Sequence, residues 1–164
     1  MEIERKWLIK ASKIPYELEK LECLELEQAY ISYSPTIRIR KINNGEECYI
    51  TIKTHPQSIS ERGLAREEYE IPISLDEYNE LIKISRGSII RKKRYIHKLE
   101  TGLTEEIDIF SDELEGLAYL EVEFEDIISA KAHRDPEWVE RDVTYEYAYK
   151  NSALSERGLP EELK

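Results

Sequence analysis

The chain has 164 residues, 36% of them charged and 40% apolar, with 11 tyrosines, a balance that reads as globular rather than disordered and suffices for one domain over residues 1–164 with a true core. Its net charge of −11 opposes non-specific nucleic-acid binding, which needs a positive field, but not the capture of a small anion by a local basic cluster. No apolar run reaches the roughly 18 residues of a membrane span, the acidic start does not read as a signal peptide, and only two cysteines, Cys23 and Cys48, suit a reducing compartment, so a cytoplasmic protein with neither membrane nor nucleic-acid partners is expected.

The opening stretch, MEIERKWLIK, alternates and predicts a strand over 2–9 with Glu2, Glu4 and Lys6 on one face. Residues 14–21, behind Ser12 as a cap, predict a short helix. Strands follow over 25–33, 36–42 and 47–53, punctuated by Ser34-Pro35 and by Asn43 to Gly45. The polar stretch THPQSISERGLA, 54–65, reads as a loop. A strand over 65–73 leads into a helix over 75–84, where Leu75, Tyr78, Leu81 and Ile82 share a face behind Ser74, with Asp76 and Glu77 in the first turn. Strands over 89–98, 104–110 and 117–126 complete the set, and a third helix is expected over 145–155. Eight antiparallel-looking strands with few helices predict an α+β fold whose sheet curls or closes.

Alternate positions along these strands carry charge in a sorted way. Arg38 and Arg40 lie opposite Ile37 and Ile39, and Lys53 with Thr51 opposite Ile50 and Ile52. Arg66, Glu68 and Glu70 share a side, as do Lys92 and Arg94, Glu106 and Asp108, and Glu121 and Glu123. A single half-buried strand with a charged outer side is ordinary. A wet face, however, usually mixes signs, because same-sign neighbours repel. Here the same pattern recurs in nearly every strand.

A sheet closed with that surface inward is a barrel with a charged lumen and an apolar outer face covered in part by helices. Unpaired ions in a low-dielectric interior are prohibitively costly, so the lumen must pair its charges or hold ligands. Clustered carboxylates suit a hard divalent cation such as Mg²⁺ or Mn²⁺. Clustered Arg and Lys suit phosphate oxygens. Both clusters in one lumen predict a metal–polyphosphate complex. No P-loop, G-x-G-x-x-G or G-x-S-x-G occurs. His55, His97 and His133 read as isolated surface or loop residues, and Cys23 and Cys48 as packing residues. Arg91 and Lys93, on the other parity, are expected to face solvent, and the acidic tail LPEELK to be a solvated end.

The opening EIERKWL resembles the ExExK signature of the CYTH superfamily, the triphosphate tunnel metalloenzymes, and TIRIR, YITIK, EEYEIPI, KKRY, EIDIF and LEVEF follow in that family's order. The resemblance implies a closed eight-stranded antiparallel tunnel and hydrolysis of inorganic triphosphate to pyrophosphate and phosphate. Thiamine triphosphate hydrolysis, action on ATP and a non-catalytic polyphosphate-binding module are the alternatives. It further implies two Mg²⁺ or Mn²⁺ ions held by Glu2, Glu4, Asp108, Glu121 and Glu123, and phosphates held by Lys6, Arg38, Arg40, Lys53, Lys92 and Arg94. Glu68, Glu70, Lys92 and Tyr30 are the implied catalytic set. Short bacterial relatives often carry Lys-Arg-Tyr where this chain has Tyr147, Ala148 and Tyr149, ahead of Lys150 and Asn151, so no phosphate contact is assigned to the C-terminal helix. The oligomeric state stays open, a homodimer included.

Overall fold

The computed structural model describes residues 1–55 and 63–164; most of the expected 54–65 loop lies outside them. Among the described residues nine strands form: β1 (Glu2–Leu8), β2 (Glu22–Tyr33), β3 (Thr36–Ile42), β4 (Glu47–Thr54), β5 (Ala65–Ile73), β6 (Arg86–Lys98), β7 (Thr104–Phe110), β8 (Ala118–Glu123) and β9 (Arg141–Asp142). The helices are α1 (Leu75–Ile82), α2 (Ile127–Ala132) and α3 (Asn151–Arg157). The strand order is β5-β4-β3-β2-β6-β7-β8-β1, and β1 pairs back on β5, closing eight antiparallel strands into a barrel. The closure is short: β5 meets only Glu2 and Ile3, while β9 takes the far end of β1 at Trp7 and Leu8. Between those contacts the 142–150 segment covers β1, with Lys6 N donating to Thr144 Oγ1 at 3.0 Å.

Period-2 patterning puts the apolar parity outside and covers most of it. Ile3, Trp7, Ile107, Leu120 and Val122 pack under α2 and the 14–18 stretch, where Ile14, Tyr16 and Leu18 dock. Ala29, Ile39 and Cys48 pack under Tyr78 of α1. Ser74 and Glu77 form a reciprocal capping box, satisfying backbone donors that the helix start leaves open. Ser74→Ala is expected to cost about 1 kcal/mol, read as a lowered urea midpoint with an unchanged slope.

Several expectations need correction. The 14–21 helix is replaced by a 3₁₀ turn at Leu18–Lys20, with a separate one at Ala11–Lys13 ahead of the range, because Pro15 lacks a donor and forces Ile14 into extended geometry. The 145–155 helix is broken at Lys150, which is extended (φ −71°, ψ 142°) between a 3₁₀ turn at Tyr147–Tyr149 and α3. α2 was missed although Asp126 caps it by accepting from Ser129 N at 2.7 Å, a legible Asp-x-x-Ser start. β9, at two residues, is too short to show a period. His97 is not isolated: it lies on β6, its Nδ1 3.0 Å from Glu105 Oε1 and its ring stacked on Tyr16. His133 packs against Trp7 and Phe124. Cys48 is buried as expected, but Cys23 is exposed. The tail is docked at Glu162, which accepts from Arg141 and Tyr149. Arg91 and Lys93 are exposed as expected.

Candidate active site

The inward parity encloses a cavity of about 190 Å³. Its wall contains Glu2, Glu4 and Lys6 from β1, Tyr30 from β2, Arg38 and Arg40 from β3, Lys53 from β4, Glu68 and Glu70 from β5, Arg94 from β6, and Glu121 and Glu123 from β8. Two expected site residues are not brought to this wall. Lys92 and Asp108 have fully buried side chains and pair with each other at 2.6 Å. Farther along the same parity the interior turns apolar. Tyr30, Ile90, Phe110 and Tyr119 pack there with Val143, Tyr149 and Leu154, so the C-terminal segment closes that part of the barrel and the charged cavity occupies only part of the lumen.

The wall also holds residues that were not assigned to the site: Arg66, Glu106, Thr36, Lys150, Asn151 and Ser152. Arg66 and Glu106 lay on the inward parity of their strands and were legible. Lys150, Asn151 and Ser152 were not. They reach the cavity because the chain straightens at Lys150, a tertiary event that no local pattern announces, and they place the start of this helix, to which no phosphate contact was assigned, on the cavity wall.

On the acidic side, Glu2 accepts from Lys53 Nζ at 3.0 Å and from Arg66 Nε at 3.4 Å. Burial would raise the Glu2 carboxyl, but Lys53, the Glu68 hydrogen bond and Arg66 together hold it well below the usual range. Glu4 goes the other way. Burial pushes its carboxyl well up, and the facing Glu121 and Glu2 add to the rise. Glu68 is raised to about 7 by burial and by its hydrogen bond to Glu2, and burial raises Glu106 and Glu123 as well. Burial would raise the Glu121 carboxyl too, but Lys6, Arg94 and Lys92 hold it low, and its Oε1 receives no hydrogen bond.

These shifts have a stability consequence. A carboxyl whose folded pKa is raised favours folding below its unfolded value and loses that contribution as pH climbs through the folded value. Glu68, Glu4, Glu106 and Glu123 act in this sense. Glu2, Asp108 and Glu121, held low, change stability only below about pH 4. In chelator, the protein is therefore expected to melt at a lower temperature at pH 7 than at pH 5, and Mg²⁺ to restore most of the difference. A melting temperature that rises between those pH values would refute the assignment.

On the basic side the partners differ in kind. Arg94 is surrounded by carboxylates. It donates to Asp108 through Nε at 2.7 Å and Nη2 at 2.9 Å, and pairs with Glu106. Lys92 Nζ lies between Asp108 and Asn151 Oδ1, the latter at 3.2 Å. Arg38 and Arg40 instead meet neutral oxygens. Arg38 Nη2 donates to Thr51 Oγ1 at 3.2 Å, and Arg40 donates through Nε and Nη2 to Gln28 Oε1 at 3.0 and 2.8 Å. Lys6 Nζ donates to the Tyr149 carbonyl at 3.3 Å. Burial and the crowding of Arg38 and Arg94 bring Arg40 down to about 9. Burial, with Arg66, Lys6 and Lys53 nearby, brings Lys150 down to about 8. Cations pressed together in this way are relieved by a polyanion.

Among the described residues no three carboxylate, imidazole or thiolate side chains are already gathered as a metal-holding group. The donor chemistry nevertheless fits a hard divalent cation. Glu4 is poorly tolerated as an anion beside Glu2 and Glu121, and Glu121 Oε1 is a buried oxygen that receives no hydrogen bond, with Arg94 Nη2 standing 3.8 Å away. A cation between them would answer both.

Comparison with known proteins agrees with this geometry. The sequence pattern described as the CYTH domain matches residues 1–158. The chain is 36% identical over 156 residues to an inorganic triphosphatase of Nitrosomonas europaea, covering 94% of this chain and 96% of that protein. It is 34% identical over 130 residues to an inorganic triphosphatase of Acetivibrio thermocellus, covering 77% of each. Superposition on the crystal structure of the inorganic triphosphatase NE1496 gives a TM-score of 0.66 at 32% identity over 94% of both chains. The barrel is also shared with Hippeastrum HpAC1, at a TM-score of 0.62, 18% identity, and 80% and 83% coverage of this chain and that one. With its signature strands lining one charged cavity and its length matched almost throughout, the chain belongs to the CYTH domain family.

Proposed function

We propose that this chain hydrolyses inorganic triphosphate to pyrophosphate and phosphate with the help of Mg²⁺ or Mn²⁺. The observation that carries the reading is the cavity itself, in which Glu2, Glu4, Glu121 and Glu123 and the arginines Arg38 and Arg40 belong to one enclosed wall. Glu2, Glu4, Glu121 and Glu123 would hold two divalent ions, which supply charge neutralisation on the phosphates and acidify water.

The protein's own part is positioning and electrostatics, which dominate phosphoryl transfer. Arg38, Arg40 and Lys6 orient the phosphates, joined by Lys53, Arg66 and Lys150 on the same wall. Tyr30, whose hydroxyl burial keeps protonated at neutral pH, donates to a phosphate oxygen. Glu68 and the more exposed Glu70 hold the attacking water on the β5 side. Lys92 and Asp108, sealed behind the wall, act indirectly: Asp108 fixes Arg94, and Lys92 neutralises Asp108. Among the described residues no helix is long and apolar enough to cross a membrane, and the cytoplasm is the proposed location.

The reading is tested by incubating the protein with triphosphate, thiamine triphosphate and ATP, with Mg²⁺ or Mn²⁺, and following phosphate, pyrophosphate and cyclic nucleotide. Triphosphate should turn over fastest, releasing pyrophosphate and phosphate in equal amounts. Tight binding of triphosphate with no turnover of any substrate would make the protein a binding module instead.

A further inference from the structure

The cations of this interior fall into two groups by the charge of their partners. Arg94, Lys92, Lys53 and Arg66 are each bonded to carboxylates. Arg40 is partly buried in the same interior, yet its guanidinium is held by the amide oxygen of Gln28, which takes both Nε and Nη2. Gln28 faces Arg40 directly across the β2–β3 ladder. It is fully buried, and its own Nε2 finds no acceptor. A buried amide with half its capacity unmet is a costly choice for packing alone. A glutamate would have the same shape and bond more strongly to arginine.

We infer that Gln28 is a positioning residue for substrate recognition, an acceptor kept neutral so that Arg40 is oriented while its charge remains available to a phosphate chain. The inference rests on the functional reading above and deepens it. A carboxylate at position 28 would neutralise Arg40 and place a negative charge behind the substrate's own. Thr51 serves Arg38 in the same way, with a hydroxyl oxygen in place of an amide. By this logic the interior divides its arginines: Arg94 is spent on the fold, and Arg38 and Arg40 are reserved for the anion.

The test is Gln28→Glu in the full chain, with Gln28→Met as a neutral control that removes the acceptor without adding charge. Binding of tripolyphosphate is measured by calorimetry in chelator, where turnover stops, together with KM, kcat and the melting temperature. Gln28→Glu should weaken tripolyphosphate binding by about 10-fold or more, the worth of one charge-assisted contact, and raise KM in step, while the melting temperature stays level or rises through the new ion pair. Gln28→Met should weaken binding less, through lost orientation. Wild-type affinity in Gln28→Glu would overturn the inference, as would affinity and melting temperature falling together in both variants, which marks a purely structural residue. Should the wild type bind tripolyphosphate but never hydrolyse it, the functional reading fails, and the calorimetric comparison still decides the role of Gln28.

Discussion

Glu4→Gln should lower kcat for triphosphate by about 100-fold or more, the scale seen when one preorganised electrostatic group is lost, and at the same time raise the melting temperature of the metal-free protein at neutral pH. The two effects have one cause. Glu4 lies beside Glu2 and Glu121, and burial with these two neighbours pushes its carboxyl well above the usual range. As an anion it destabilises the empty barrel; as a cation ligand it is what the site requires. The amide keeps the shape and removes the charge. Wild-type protein should gain thermal stability as Mg²⁺ is added, and Glu4→Gln should gain markedly less. Scanning calorimetry with and without Mg²⁺, beside steady-state phosphate release, separates the outcomes. Loss of activity with an unchanged Mg²⁺ response would remove Glu4 from the cation-binding set.

Arg94→Leu should be the most destabilising single change in the lumen, by about 3–5 kcal/mol, or on the order of 10 °C in melting temperature. Arg94 holds both oxygens of Asp108, whose side chain has no exposure, and also pairs with Glu106. Its removal leaves Lys92 as the remaining ion-pair partner of the buried Asp108 carboxylate. Arg40→Leu is the contrasting case. It removes a cation that burial and its neighbours already disfavour, and the folding cost is confined to the unmet oxygen of Gln28. There the loss should appear as a KM raised by about 10-fold or more with a much smaller thermal change. Denaturant melts and KM for both variants decide the matter. Equal destabilisation by the two would contradict the division of labour between these arginines.

The alternating charges announced the barrel's inner face strand by strand. Arg38, Glu68 and Glu121 line or close on the cavity, while Ile39 and Val122 are fully buried under the outer covering. Period 2 is a local property of a strand, so it can be read without knowing which strand comes next. Ser74 and Glu77 announced α1 for the same reason: a capping box is complete within four residues. The helix expected over 14–21 behind Ser12 does not form because Pro15 offers no backbone donor and holds Ile14 extended.

Side, then, was legible in the sequence; partner and depth were not. Nothing along the chain distinguishes Arg40, held by a neutral amide, from Arg94, held by carboxylates, or foretells that Lys92 and Asp108 seal each other behind the wall. Lys6 finds its acceptor at Tyr149, 143 positions away, and Lys150 enters the cavity only because the C-terminal segment folds back across β1. The physical reason is that alternation fixes which way a side chain points, whereas the neighbour that decides whether its charge is cancelled or kept comes from a distant strand, brought near only when the sheet closes on itself.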